Sequence, residues 1–126
     1  MCRLFVGADP NFYRARTRSL RLHGVATSIR LENFFWKVLA EIGERDGLSL
    51  NQLITRLHDE LAQTGADLSD LGNFSSFLRV SCMRYVSLQL AGHIPRDAGV
   101  PIRSLDAEAV LRAERGLGKT EGRLAA

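Results

Sequence analysis

The sequence predicts a mainly α fold with a short N-terminal β-ribbon, and three observations carry that expectation. Its 126 residues, 45% of them hydrophobic, suit one globular domain with a short appendage. Over residues 27–31 the apolar positions alternate, with Thr27, Ile29 and Leu31 separated by Ser28 and Arg30. That is the period of a half-buried strand. From Glu32 onward the period lengthens to that of a helix and stays helical for most of the chain.

Each element follows from local chemistry. In the run SLRLHGVATSIRL, residues 19–31, Leu20 and Leu22 fall on even numbers, whereas Ile29 and Leu31 fall on odd ones. A tight turn at His23-Gly24 restores one apolar face by pairing Leu22 with Val25 and Leu20 with Thr27. A bulge at Gly24 restores it equally well. Next, Phe35, Val38, Leu39 and Ile42 stand at i, i+3, i+4 and i+7, a helical stripe widened by Trp36, Ala40 and Gly43. Gly47 stops that helix. Ser49-Leu-Asn-Gln52 has the form of a capping box, opening a second helix with Leu50, Leu53, Ile54, Leu57 and Leu61 as its stripe. After a loop over residues 65–72, Asn73 is a cap for an additional third helix reaching Leu90, with Phe74, Phe77, Leu78, Ser81, Cys82 and Tyr85 inward. Gly92, Pro95, Gly99 and Pro101 form a linker. Ser104 is a cap for a last short helix over residues 105–115, ahead of a Gly-rich end expected to fray.

Charge is unevenly placed. Residues 1–31 carry six arginines against Asp9, residues 32–70 three bases against eight acids, and residues 71–126 eight bases against five acids. A basic front joined to an acidic body is the asymmetry of a chain that meets a polyanion with one face. Fifteen of the seventeen bases are arginine, whose fork fits phosphate and guanine edges.

Other classes of function are disfavoured by what the chain contains. Cys2 and Cys82 are too few for a disulfide framework, and with His23, His58 and His93 they show no metal-ligand spacing. No metal and no cofactor is expected, and the expected setting is reduced and cytoplasmic. The first apolar run reaches Asp9 too soon for a signal peptide. The most apolar later stretch, residues 74–90, is interrupted by Arg79 and Arg84, so no membrane partner is expected. No Ser/His/Asp grouping or carboxylate pair stands at a catalytic spacing, and an enzyme is not expected. Gly116-Leu-Gly-Lys-Thr120 echoes a phosphate-binding loop but has Ala113 where the motif requires glycine.

A lone strand leaves its backbone donors and acceptors without partners. The same strand from a second copy, antiparallel about a two-fold axis, supplies them. One face of the resulting ribbon is sealed by Thr27, Ile29 and Leu31, and the other presents Ala26, Ser28 and Arg30 twice. A two-stranded ribbon of that kind fits the major groove of DNA.

The run TSIRLENFFWKVLAEIGERDGLSLNQLI, residues 27–54, resembles the ribbon-helix-helix superfamily (Arc/MetJ-like fold). In that superfamily an x-I-x-L strand passes into a first helix, a Gly-apolar-Ser turn and a second helix, and Gly47-Leu48-Ser49 matches the turn. The wider pattern RTRSLRLHG, TSIRLE and NFSSFLRVSCMRY is similar to a variant ribbon-helix-helix group common in bacterial proteins.

The resemblance implies a ribbon-helix-helix dimer with an additional third helix: a sequence-specific transcriptional regulator that binds double-stranded DNA as a homodimer. Its base-reading positions fall on Ala26, Ser28 and Arg30. Its phosphate clamp falls on Ser49, Leu50 and Asn51 at the start of the second helix, where free N–H groups attract an anion. Arg14, Arg16 and Arg18, spaced by two and joined by Arg21, read as a phosphate-contacting arm. Two positions depart from the family. Glu32 stands where a proline or polar cap is usual, placing an acid near the phosphates, and Ala26 offers only apolar contact. The expected organisation is a basic N-terminal arm (1–18), a ribbon-helix-helix domain with an extra helix (19–90), and a linker and C-terminal tail (91–126). The second reading is a protein-interaction or antitoxin-type module in which that tail binds a protein partner.

Overall fold

The parity flip at His23-Gly24 is a turn. In the computed structural model, which describes the backbone of residues 2–125 and the side chains of residues 2–116, β1 (Ala15–Leu22) and β2 (Val25–Glu32) form an antiparallel two-stranded sheet. The register pairs Leu22 with Val25 and Leu20 with Thr27, with no residue bulged out. His23 (φ 53°) and Gly24 (φ 81°) both adopt left-handed backbone, as a two-residue hairpin turn of the primed type requires. The expectation of a strand without a partner in its own chain is therefore corrected. Leu20 and Leu22 need the same cover as Ile29 and Leu31, and all four are buried on one side of the hairpin.

Residues 2–18, within the expected basic arm, also hold secondary structure. Two short helices, α1 (Cys2–Val6) and α2 (Pro10–Tyr13), precede the sheet, and residues 15–18 already belong to β1. Asp9 caps α2 by accepting from the Asn11 N–H at 3.0 Å, with Pro10 at the first helical position.

The chain divides into two compact units, residues 1–82 and 83–126. In the first, α3 (Asn33–Arg45) follows β2 directly and buries Trp36, Val38, Leu39 and Gly43. A Cβ on Gly43 would lie 2.9 Å from the Leu48 carbonyl oxygen, so only glycine admits the returning chain. That return passes through Gly47 (φ 68°), and the Leu48 N–H donates to the Gly43 carbonyl at 2.8 Å. α4 (Leu50–Gln63) opens with the expected capping box. Ser49 Oγ accepts from the Gln52 N–H at 3.2 Å, and Gln52 Oε1 accepts from the Ser49 N–H at 2.9 Å. α5 (Leu71–Leu90) begins earlier than an Asn73 cap implies. Asp70 is the cap, accepting from the Gly72 N–H at 2.8 Å. Phe74, Leu78 and Cys82 are buried along α5. The Cys82 thiol donates to the Phe35 carbonyl at 3.6 Å, and burial pushes its pKa up to about 12. That is an inert structural thiol.

In the second unit a 3₁₀ turn (Ile102–Ser104) leads to α6 (Ala107–Ala125). This corrects the expected bounds of the last helix, 105–115. Ser104 is not the cap, since its hydroxyl donates to the Pro101 carbonyl at 2.6 Å. Asp106 accepts from the Ala109 N–H at 3.3 Å instead. Glu114 holds the helix through hydrogen bonds of 2.8 and 2.7 Å from Arg84. Side chains past Gly116, Lys119 and Thr120 of the rejected phosphate-loop echo among them, lie outside the described residues. Among the described residues no helix is long and apolar enough to cross a membrane.

Candidate nucleic-acid interface

The register sorts the hairpin into two faces. Leu22/Val25, Leu20/Thr27, Arg18/Ile29 and Arg16/Leu31 share one, and Arg21/Ala26, Ser19/Ser28, Thr17/Arg30 and Ala15/Glu32 share the other. Successive side chains of a strand alternate between faces, so burying Leu20, Leu22, Ile29 and Leu31 turns the second set outward. Thr17, Ser19, Arg21, Ala26, Ser28 and Arg30 are all exposed. Ala26, Ser28 and Arg30 thus stand together on solvent, and β1 adds Thr17, Ser19 and Arg21 beside them. A reading confined to one strand misses Thr17 and Ser19, although the parity flip at His23-Gly24 was the signal for them. The six residues carry two guanidinium groups and three hydroxyls, and no carboxylate.

Among the described residues no strand other than β1 pairs with β2. Beyond the sheet, the Asn33 N–H donates to the Arg14 carbonyl at 2.9 Å. Hydrogen-bonded pairs alternate along an antiparallel ladder, so the odd-numbered residues of β2 bond to β1. The backbone groups of Ala26, Ser28 and Arg30 point the other way. There the Arg30 carbonyl accepts from Arg79 Nη2 at 3.4 Å. The outer edge of β1 is partly covered at its tip. The Arg21 N–H donates to Asn51 Oδ1 at 3.1 Å, and Asn51 Nδ2 donates to the Arg21 carbonyl at 3.4 Å.

At the far end of the outer face lies Glu32, the acid that departs from the family pattern. Its carboxylate accepts three hydrogen bonds of 2.9 to 3.1 Å from Arg79. Those bonds, more than the charge of Arg79 itself, hold the Glu32 carboxyl below its usual pKa and raise that of Arg79. Its charge is therefore compensated inside the chain.

The other expected contact residues are dispersed. Ser49 uses its hydroxyl for the cap, Leu50 is half-buried, and the Asn51 side chain is tied to Arg21. Their main-chain N–H groups belong to the first turn of α4, where helices lack internal acceptors. Arg16 and Arg18 share the face of Leu20 and Leu22, opposite to Arg21. The Arg18 guanidinium lies 5.5 Å from the centre of the Trp36 ring, and Trp36 Nε1 donates to the Arg16 carbonyl at 2.9 Å. Arg14 Nη1 donates to Asn11 Oδ1 at 3.1 Å. His23, expected in the turn, places Nε2 2.5 Å from Asp59 Oδ1 of α4. Among the described residues no group of three or more His, Cys, Asp or Glu side chains is placed to hold a metal.

Comparison with known proteins agrees with this architecture. A family model described as a ribbon-helix-helix domain matches residues 15–86, from the start of β1 into α5. The chain is also similar to an uncharacterized protein from Bordetella pertussis Tohama I of solved structure. The identity is 58%, with 88% of this chain and 86% of that chain covered, and the TM-score is 0.82. No curated protein matches.

Proposed function

The chain belongs to the ribbon-helix-helix family, a family of non-catalytic regulatory modules that bind DNA or protein, and we propose that it is a sequence-specific, DNA-binding transcriptional regulator acting as a cytoplasmic homodimer. One observation carries the reading: the exposed face of the hairpin sets Ser28 and Arg30 beside the β2 edge that β1 does not pair. In this reading β2 pairs with β2 of a second copy about a two-fold axis. Ala26, Ser28 and Arg30 then face base edges in the major groove, where arginine takes guanine O6 and N7 and serine bonds to either strand. Arg21 and the first turn of α4, Ser49 to Asn51, meet phosphates. Arg14, Arg16 and Arg18 contribute positive field from the opposite side of the sheet.

The test combines sedimentation with a mobility shift on the gene's own upstream DNA at two salt concentrations. A dimer whose DNA affinity falls steeply with salt is the expected result. A stable monomer, or salt-independent binding, overturns the reading. The second reading, a protein-binding module, draws support from residues 83–126. They form a compact unit of their own. That unit exposes Met83, Val86 and Leu90 and carries an open, mainly apolar groove of about 210 Å³ lined by Ile94, Ile102, Leu105 and Val110 beside Arg84. An apolar partner interface would hold its affinity as salt rises.

A further inference from the structure

We propose that the two strands of the hairpin divide the DNA between them, β2 facing the bases and β1 meeting the phosphate walls of the same groove through Thr17, Ser19 and Arg21. This rests on the β2-to-β2 dimer proposed above. In such a dimer the sheet has four strands, with the two β2 strands inside and the two β1 strands outside. Strands lie about 4.8 Å apart, so β2 runs about 2.4 Å from the two-fold axis and β1 about 7 Å from it. The major groove is about 12 Å wide and takes a two-stranded ribbon. Its walls therefore stand about 6 Å from the axis, between the two strand positions. β2 fits within the groove, and β1 does not.

The side chains match those places. The outward face of β1 offers two hydroxyls and one guanidinium with no carboxylate, which are common donors to phosphate. The register sets each β1 residue beside a β2 residue: Thr17 by Arg30, Ser19 by Ser28, Arg21 by Ala26. Arg21 is also held in place. Asn51 grips its backbone on both sides, and its Nη1 donates to the Gly24 carbonyl at 3.2 Å. Donors fixed before binding lose less entropy when they engage. Arg16 and Arg18 have the charge for this role but occupy the other face.

The experiment measures binding of the full chain to its upstream DNA and to a scrambled duplex across a salt series, and selects preferred sites from a randomised duplex. Arg21→Gln and the pair Thr17→Val/Ser19→Ala are compared with wild type, each checked for folding by thermal melt. Thr17→Val keeps a β-branched side chain, and the Asn51 grip on Arg21 uses backbone atoms, so both variants retain the hairpin. Arg21→Gln is expected to weaken binding to both duplexes by the same factor and to make the salt slope shallower by about two per dimer. Arg21→Lys restores that slope. The hydroxyl pair weakens both duplexes equally with the slope unchanged, and selected sites stay the same in every case. Altered site preference in either variant, or unaltered affinity in both, overturns the division of roles while leaving DNA binding standing. A wild-type protein that binds neither duplex overturns the parent reading as well.

Discussion

The two faces of the hairpin are built from the same two strands in the same register, yet they meet opposite demands. On the inner face Leu20, Leu22, Ile29 and Leu31 are no more than 8% exposed. On the outer face Thr17, Ser19, Arg21, Ala26, Ser28 and Arg30 are all exposed. The inner face fixes where the ribbon sits, while on the outer face Thr17, Ser19, Ala26, Ser28 and Arg30 stand in solvent. On the proposed reading, stability and recognition are carried by alternate residues of one strand, and a substitution one position along exchanges one property for the other.

Adjacent residues of β2 give the sharpest contrast. Leu31 is 0% exposed, and Leu31→Ala is expected to destabilise the fold by about 2–5 kcal/mol through lost transfer energy and an unfilled cavity. Urea denaturation reads that directly. Arg30→Ala, one residue away, is expected to change stability by less than about 0.5 kcal/mol. It should instead cost about 1–3 kcal/mol of specific DNA binding per base contact, and a dimer loses two contacts at once. A fold-destabilising Arg30→Ala would show that the faces are not independent. Unaltered DNA affinity would show that the outer face is not the reading face.

The turn that creates both faces is more modestly vulnerable. Gly24 takes a left-handed backbone with open space around it. Gly24→Ala therefore meets no clash and pays only the left-handed penalty of a side chain, about 1–2 kcal/mol. Equal loss of stability and DNA affinity is expected, because a distorted turn moves both faces together. Loss of DNA binding with unchanged stability would instead assign the turn itself to the contact surface.

Much of this was legible in the residues. The parity flip between Leu22 and Ile29 pointed to a turn or a bulge at His23-Gly24 without choosing between them, and Ser49 with Gln52 contained the second helix. β1 was harder to see as a strand because Arg16 and Arg18 occupy inner-face positions where alternation looks for apolar side chains. Arg18 is tolerated there because Trp36 offers an aromatic surface for its guanidinium, a contact between residues eighteen positions apart that no local pattern carries. The same holds for Glu32. As a sequence position it looked like a misplaced acid, and its partner Arg79 stands forty-seven residues on. The start of α5 and the length of α6 turned on the choice between neighbouring caps, Asp70 over Asn73 and Asp106 over Ser104. Composition does not rank such neighbours.

The smallest expected effect belongs to the Glu32–Arg79 pair, where the outer face ends. Both side chains are partly exposed, at 28% and 36%, so water screens the pair and its worth is expected to stay below about 1 kcal/mol. The pH dependence is nevertheless definite in sign. The Glu32 carboxyl has a lower pKa when folded than its ordinary value of 4.5, chiefly because Arg79 donates to the ionised form. Such a group adds stability at pH above its unfolded pKa, and that stability is lost as pH falls through the lowered folded value. Arg79 stays charged throughout. Glu32→Gln removes the titration while keeping an oxygen acceptor, so its midpoint of denaturation should lie slightly below wild type at pH 7. The gap should shrink as pH falls below the ordinary carboxylate range, and the two proteins should converge once wild-type Glu32 is itself protonated in the folded state. Arg84–Glu114 in the second unit has the same sign of shift, and it remains in both proteins, so it cancels in the difference. A gap between wild type and Glu32→Gln that persists unchanged down to pH 3 would mean that shape, not charge, makes the contact. The acid at the end of the outer face would then need another compensation than Arg79.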